Sequence, residues 1–389
     1  MPSEIEVFDD SILNKFPKEL YNCLKELSKI KDDIAGTRLG QIQIKNINYS
    51  CIRSKIDDGK ADRFTLSIPY ANNILEWTIL FDINNLNLGP DFQFDDVTFL
   101  SDPDFEIIKN NVPSWNQWDI NNSKSLSKII KELYDFYKQH QINLLNQDIE
   151  TRPYFEYSCL VGEKVVQANH IEVLIQGDTV MFLIYLDIEY PDLPMHNEEM
   201  KNPNGDATFL YVKFTKPNTI TSKLYLTPRI EQVLGDQTNQ RIPSLTSDSN
   251  CLLDYVPQVK KWLKERLEQV ALNYKKSQEF ISTVLLYYKS NIIEYDAVGF
   301  SKVVLLFETK GFYWMLTITL GKKFPADKPK YLYTSVNHLV YESVFSETLG
   351  NDYSYNPRWD ANLMLEKAMS CILKNIDNFR STAMAKSTI

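Results

Sequence analysis

The stretch "TITLGKKFPADKPKYLYTS", residues 317–335, decides the fold. An alternating run leads into Phe324-Pro325, and four residues later Pro329 opens another strand-like run. A proline cannot donate to a β-ladder and fixes its own φ, so it marks where one strand stops and the next begins. Upstream lie "FSKVVLLFE" (300–308) and "FYWMLTITL" (312–320), joined through Thr309-Lys310-Gly311. Glycine in a short link between β-rich runs reads as a hairpin.

The same order occurs twice more. In "HIEVLIQGDTVMFLIYLDIEYPDLP" (170–194), a strand, a turn at Gly177-Asp178 and a second strand lead to Pro191 and Pro194. In "DRFTLSIPYANNILEWTILFDINNLNLGPDFQFDD" (62–96), a hairpin is followed by a loop ending at Pro90 and by another short run. Hairpin, proline crossing and strand thus recur three times, a repeat of architecture rather than of residues.

Helices bracket each pass. Residues 124–137 place Leu126, Ile129, Ile130, Leu133, Tyr134 and Tyr137 on one face at helical spacing. Six such side chains, at ~1.5–3 kcal/mol each when buried, contribute on the order of 10 kcal/mol before chain ordering is counted. Residues 256–288 carry Val259, Trp262, Leu263, Leu267 and Val270 along one stripe, a helix long enough to serve two modules. Pro17 suits the start of a helix over 16–27, and Asp360 or Asn362 can cap one over 359–379. The expected fold class is α+β, with antiparallel sheets flanked by helices. It divides at 1–140, 141–275 and 276–389, the second module being the divergent one.

Composition narrows the function. The 389 residues carry a net charge of −9 with no basic block, which disfavours nucleic acid as a partner. The basic residues of 260–276 are interleaved with apolar ones, as on a solvated helix face. Cys23, Cys51, Cys159, Cys251 and Cys371 are widely spaced, a pattern of reduced thiols rather than a disulfide frame. The start "MPSEIEVFDD" is unlike a signal peptide, and no apolar run approaches the ~20 residues that span a bilayer. No membrane and no cofactor are expected.

The unit resembles the ubiquitin-conjugating (E2) fold, in its non-catalytic UEV/RWD-type form, where a Tyr-Pro…Pro-Pro crossing joins the third and fourth strands. More specifically, the chain is identified as similar to invertebrate members of the BRE family. The residues that carry this are "DRFTLSIPYA" (62–71), "LEWTILFD" (75–82), "LYLTPRIEQVLG" (224–235), "CLLDYVPQV" (251–259), "EYDAVGF" (294–300), "FPADKP" (324–329) and "YSYNPRWDAN" (353–362). The resemblance implies a non-catalytic scaffold subunit of the BRISC deubiquitinase and of its nuclear sister complex in the DNA damage response. It implies an Abraxas-type scaffold, a von Willebrand-A-like adaptor and a JAMM metalloprotease that cuts lysine-63-linked ubiquitin chains as partners. Serine hydroxymethyltransferase and ubiquitin are further implied partners, and cytoplasm and nucleus the implied locations.

Two rival readings concern other chemistry. A ubiquitin-conjugating enzyme needs a thiolate after the fourth strand and a nearby asparagine for the oxyanion. Cys251 in "SDSNCLLDYVP" has the right local look, but no His-Pro-Asn occurs, and Pro217-Asn218 lies 33 residues upstream. Cys251 therefore reads as an inert remnant. A JAMM centre needs a His-x-His run, whereas His140, His170, His196 and His338 are isolated, so no metal is expected. The third reading, a stand-alone ubiquitin- or peptide-binding variant, shares the scaffold's fold. Candidate partner-binding residues are Tyr353, Tyr355, Arg358 and Trp359, since Tyr, Trp and Arg dominate interface hot spots. Trp359 also fits as an internal lock under the last helix, as do Trp115 and Trp118 in the first module.

Overall fold

A computed structural model describes residues 10–27, 29–30, 39–49, 60–101, 105–194, 205–215, 219–235, 242–245, 251–340, 343–350 and 353–386. Cys51, His196 and Pro217-Asn218 lie outside them. The described residues form an α+β fold with three antiparallel sheets, and the chain divides into two compact units, Met1–Ile188 with Lys201–Trp262 and Glu189–Met200 with Leu263–Ile389.

The first unit opens with α1 (Asp10–Leu13), a 3-10 turn at Lys18–Leu20 and α2 (Tyr21–Leu27). Pro17 precedes the 3-10 turn, so the α-helix proper starts later than the sequence predicts. Sheet A then runs in chain order, β1 (Gln43–Asn48), β2 (Arg63–Tyr70), β3 (Asn73–Leu80) and β4 (Asp91–Gln93). After α3 (Phe105–Asn111) and α4 (Pro113–Asn116) comes α5 (Ser125–Gln147). All six residues of its predicted stripe are buried. The helix continues past Tyr137 because Gln141 and Leu145 are buried as well.

Next come α6 (Arg152–Gly162) and sheet B, again in chain order, β5 (Ile171–Gln176), β6 (Thr179–Tyr185), β7 (Thr208–Thr215) and β8 (Thr219–Leu226). One face of sheet B, with Leu174, Met181, Leu183 and Phe209, joins the same hydrophobic cluster as α5 and sheet A. Glu172 on that face is 1% exposed and accepts hydrogen bonds from the Tyr134 hydroxyl at 2.6 Å and the Ala71 amide at 2.7 Å. Tyr70 donates to the Val173 carbonyl at 2.7 Å. Sheets A and B therefore share a core, with polar ties closing its seam.

After α7 (Pro228–Leu234), α8 (Leu252–Tyr287) crosses the division between units. It begins before Val256, so Pro257 lies inside it, exposed and without an N–H to give. The buried Glu156 secures that early start by accepting from the Leu252 amide at 2.6 Å. Sheet C has the order β13-β12-β11-β10-β9, with β9 at Ile292–Tyr295, β10 at Lys302–Thr309, β11 at Phe312–Thr319, β12 at Lys330–Val340 and β13 at Ser343–Thr348. The last helix, α9 (Ala361–Lys386), is capped by Asp360, which accepts from the Leu363 amide at 2.7 Å. Phe280, Ile281 and Val284 of α8 and eight buried residues of α9 pack with one face of sheet C.

Candidate interaction surface

The proline crossings lie between strands in each pass. Pro90 is buried immediately before β4, Pro191 and Pro194 lie between β6 and β7, and Pro325 and Pro329 lie between β11 and β12. A crossing leaves carbonyls without ladder partners, and buried ones need donors from elsewhere. In sheet C the donors come from the "YSYNPRWD" stretch. Tyr353 donates to the Pro329 carbonyl at 2.8 Å and Tyr355 to the Pro325 carbonyl at 2.5 Å. In sheet A, Trp115 Nε1 donates to the Pro90 carbonyl at 3.0 Å and Trp118 Nε1 to the Leu86 carbonyl at 3.0 Å.

This geometry sorts the candidate partner-binding residues. Tyr353 is 6% exposed, its ring edge-on to Tyr331, with Lys328 Nζ 5.0 Å above it. Burial first, then neighbouring Tyr355 and Cys371, push its hydroxyl far above the usual tyrosine range. It belongs to the core and positions the crossing. Tyr355 is half-buried, and burial, with the charge of Asp327, pushes its hydroxyl up to about 12. Trp359 is half-buried against the same core, while Arg358 is exposed. The surface of the stretch thus offers Arg358 and the outer edges of Tyr355 and Trp359.

Cys251 stands just before α8, half-buried, its thiol 3.4 Å from Asp254 Oδ2. Leu252, the next residue, is the one held by Glu156, so the site is built around starting a helix. Of the histidines, His140 Nε2 lies 3.1 Å from Thr98 Oγ1 and His338 Nδ1 lies 2.9 Å from Ser335 Oγ. Among the described residues, no three His, Cys, Asp or Glu side chains gather as a metal set, and no helix is long and apolar enough to cross a membrane.

Sequence reasoning missed the outer face of sheet C. Strand pairing places Leu306, Met315 and Thr334 in one row across β10, β11 and β12, with Val304, Thr317 and Leu332 in the next. Tyr313 and Val336 flank them, and Leu306, Tyr313 and Val336 are 37%, 46% and 41% exposed. Lys302, Glu308 and Lys330 border this apolar centre, the arrangement of a docking face with a polar rim. The near-continuous apolar runs in "VVLLFE" and "FYWMLTIT" were a usable signal, because both phases of these strands carry large apolar residues.

Among the described residues, fold and surface define an α+β protein of antiparallel sheets with an apolar-centred, partly exposed sheet face. The family model of Brain and reproductive organ-expressed protein (BRE) matches residues 25–339. The chain belongs to the BRE family. It is 32% identical over 340 residues to "BRISC and BRCA1-A complex member 2" of Danio rerio, covering 84% of this chain and 86% of the relative. The protein of the same name from Branchiostoma floridae is 31% identical over 392 residues, covering 96% and 98%.

Proposed function

We propose that the chain is a non-catalytic scaffold subunit of a BRISC-type deubiquitinase complex acting on lysine-63-linked ubiquitin. One observation carries this reading. Relatives named as members of the BRISC and BRCA1-A complexes align with it over as much as 96% of its length. In this reading its role is to bridge an Abraxas-type scaffold and a von Willebrand-A-like adaptor, while a JAMM metalloprotease partner cuts the chain. Serine hydroxymethyltransferase and ubiquitin are further proposed partners, and cytoplasm and nucleus the proposed locations.

The three spans 1–140, 141–275 and 276–389 each hold one sheet, which supports reading them as UEV/RWD-type modules. Sheets A and B, from the first two spans, lie in one compact unit and share a core, which supports reading those two spans as packed together rather than as loose beads. Arg358, Tyr355 and Trp359 are proposed as partner-facing, with Tyr353 holding the crossing beneath them.

The test is co-expression of the full chain with the Abraxas-type, adaptor and JAMM subunits, followed by size-exclusion chromatography. A stoichiometric complex with lysine-63-specific activity is expected. Wild-type activity of the other subunits without this chain would sink the scaffold role. A ubiquitin thioester formed by the chain alone with activating enzyme and ATP, and lost in Cys251→Ser, would replace it with the enzyme reading.

A further inference from the structure

We infer that the outer face of sheet C docks an amphipathic helix of another subunit, an inference that rests on reading the chain as a complex member. The three hairpins can be compared residue by residue, because each closes on a two-residue turn: Ala71-Asn72, Gly177-Asp178 and Lys310-Gly311. Counted from these turns, the inward positions of β3, β6 and β11 correspond. They are Leu75, Trp77 and Ile79; Met181, Leu183 and Tyr185; Trp314, Leu316 and Ile318. All belong to or pack against cores.

The outward positions differ, and the difference points to an occupant. Sheet A has Ile74, Glu76 and Thr78 there, with Lys45 paired to Glu76 at 3.8 Å and Thr65 Oγ1 3.4 Å from Thr78 Oγ1. That face is finished largely in polar groups, Thr65, Ser67, Glu76 and Thr78, with Ile74 as its exposed apolar residue.

Sheet B has Val180, Phe182 and Ile184, and helices cover them. The ring of Tyr157 on α6 lies 6.3 Å from that of Phe182, and the hydroxyl of Tyr255 on α8 lies 2.9 Å from Ser222 Oγ on β8. Sheet C has Tyr313, Met315 and Thr317, extended by Leu306, Leu332 and Val336; Leu306, Tyr313 and Val336 are exposed and the other three half-buried.

Sheet C therefore carries the kind of outer face that the same chain, one sheet earlier, covers with helices. The correspondence extends across the sheet. The row Phe182, Val212, Ser222 of sheet B becomes Met315, Thr334, Ser346 in sheet C, so a serine stands where Ser222 meets the Tyr255 hydroxyl. The occupant is a helix with an aromatic residue over Met315 and a hydroxyl or amide reaching Ser346. Lys330 at one end of the face would meet an acidic end of that helix, Lys302 beside it being already paired with Glu294.

The experiment uses the full chain co-expressed with the other subunits of a BRISC-type complex. A benzophenone amino acid at position 315 is photolysed in the assembly, and the adduct is mapped by mass spectrometry. The expected adduct joins position 315 to a helical segment of a different subunit. In parallel, Met315→Glu, at a half-buried position on the outward side of β11, is expected to weaken that contact about tenfold or more while the free chain stays folded by circular dichroism. An assembly with wild-type affinity for Met315→Glu overturns the inference and leaves the scaffold reading standing. So does an adduct to a second copy of this chain, or to a loop or strand. If no assembly forms with the wild-type chain, both readings fall.

Discussion

The hydroxyl of Tyr353 donates to the carbonyl of Pro329 at 2.8 Å, tying the segment before α9 to the crossing that opens β12. Tyr355 does the same for Pro325, and in sheet A Trp115 does it for Pro90. The prolines end the strands, and an aromatic donor from further along the chain satisfies what they leave open. Tyr353→Phe keeps the packing and orphans a buried carbonyl, at a cost of about 1–2 kcal/mol. Tyr355→Phe costs less, because water reaches that half-buried pair. Urea denaturation of the two variants checks the order, and equal midpoints would contradict it.

Glu172 is the seam between sheets A and B. Glu172→Ala leaves the Tyr134 hydroxyl and the Ala71 amide buried without acceptors, a loss of roughly 3 kcal/mol for the two donors together. Tyr134→Phe removes one donor with its bond and costs less. Thermal unfolding followed by hydrogen exchange at the amides of sheet A and of sheet B is expected to show one shared transition for the two sheets. Separate melts would deny the common core.

The cysteines should differ sharply in reactivity. Cys23 is fully buried, its thiol pushed up to about 11 by burial and by the charge of Asp119, and it donates weakly to the Ile120 and Asn122 carbonyls. Thiolate is the reactive form, so Cys23 should resist iodoacetamide at neutral pH while the half-buried Cys159, Cys251 and Cys371 react. Peptide mapping before and after denaturation reads this directly. Rapid labelling of Cys23 in the folded chain is the adverse result.

Acid should loosen the loop after β4. Burial alone would raise the Asp96 carboxyl, but bonds from the Thr98 hydroxyl and amide, from Tyr137, and the nearby His140 outweigh it and hold it below its ordinary range. Burial lowers His140, and Asp96 offsets this only in part. Both groups bind fewer protons folded than unfolded, so stability rises with pH. The His140 contribution is complete above an ordinary histidine pKa of about 6.5 and fades as pH falls toward its lowered folded value. That of Asp96 is complete above about 3.9 and is lost as pH falls through its own lowered value. His140→Gln should flatten the pH dependence of the denaturation midpoint around pH 5 to 7 while keeping the deeper acid step. An unchanged profile would remove His140 from the account.

Elements with a local cause were legible. The stripe from Leu126 to Tyr137 repeats at helical spacing, and a helix with that face buried is found there. The hairpins at Gly177-Asp178 and Lys310-Gly311 carry glycines at φ 55° and 76°, conformations that glycine adopts without a Cβ penalty. Asp360 lies one residue before α9 and caps it. The early start of α8 was not legible, since Glu156, which holds Leu252, is 96 residues away.

By itself, then, the sequence determined the three hairpins, the crossings that end them, the helices beside them and, through its motifs, the BRE family. Only the tertiary structure decided that Tyr353 faces inward, that Glu172 joins two sheets, and that Leu306, Tyr313 and Val336 on the outer face of sheet C are exposed while Phe182 on that of sheet B is covered. Periodicity is a property of neighbours along the chain, and it says which residues share a face. What lies against that face is set by segments tens of residues away, and no local pattern records it.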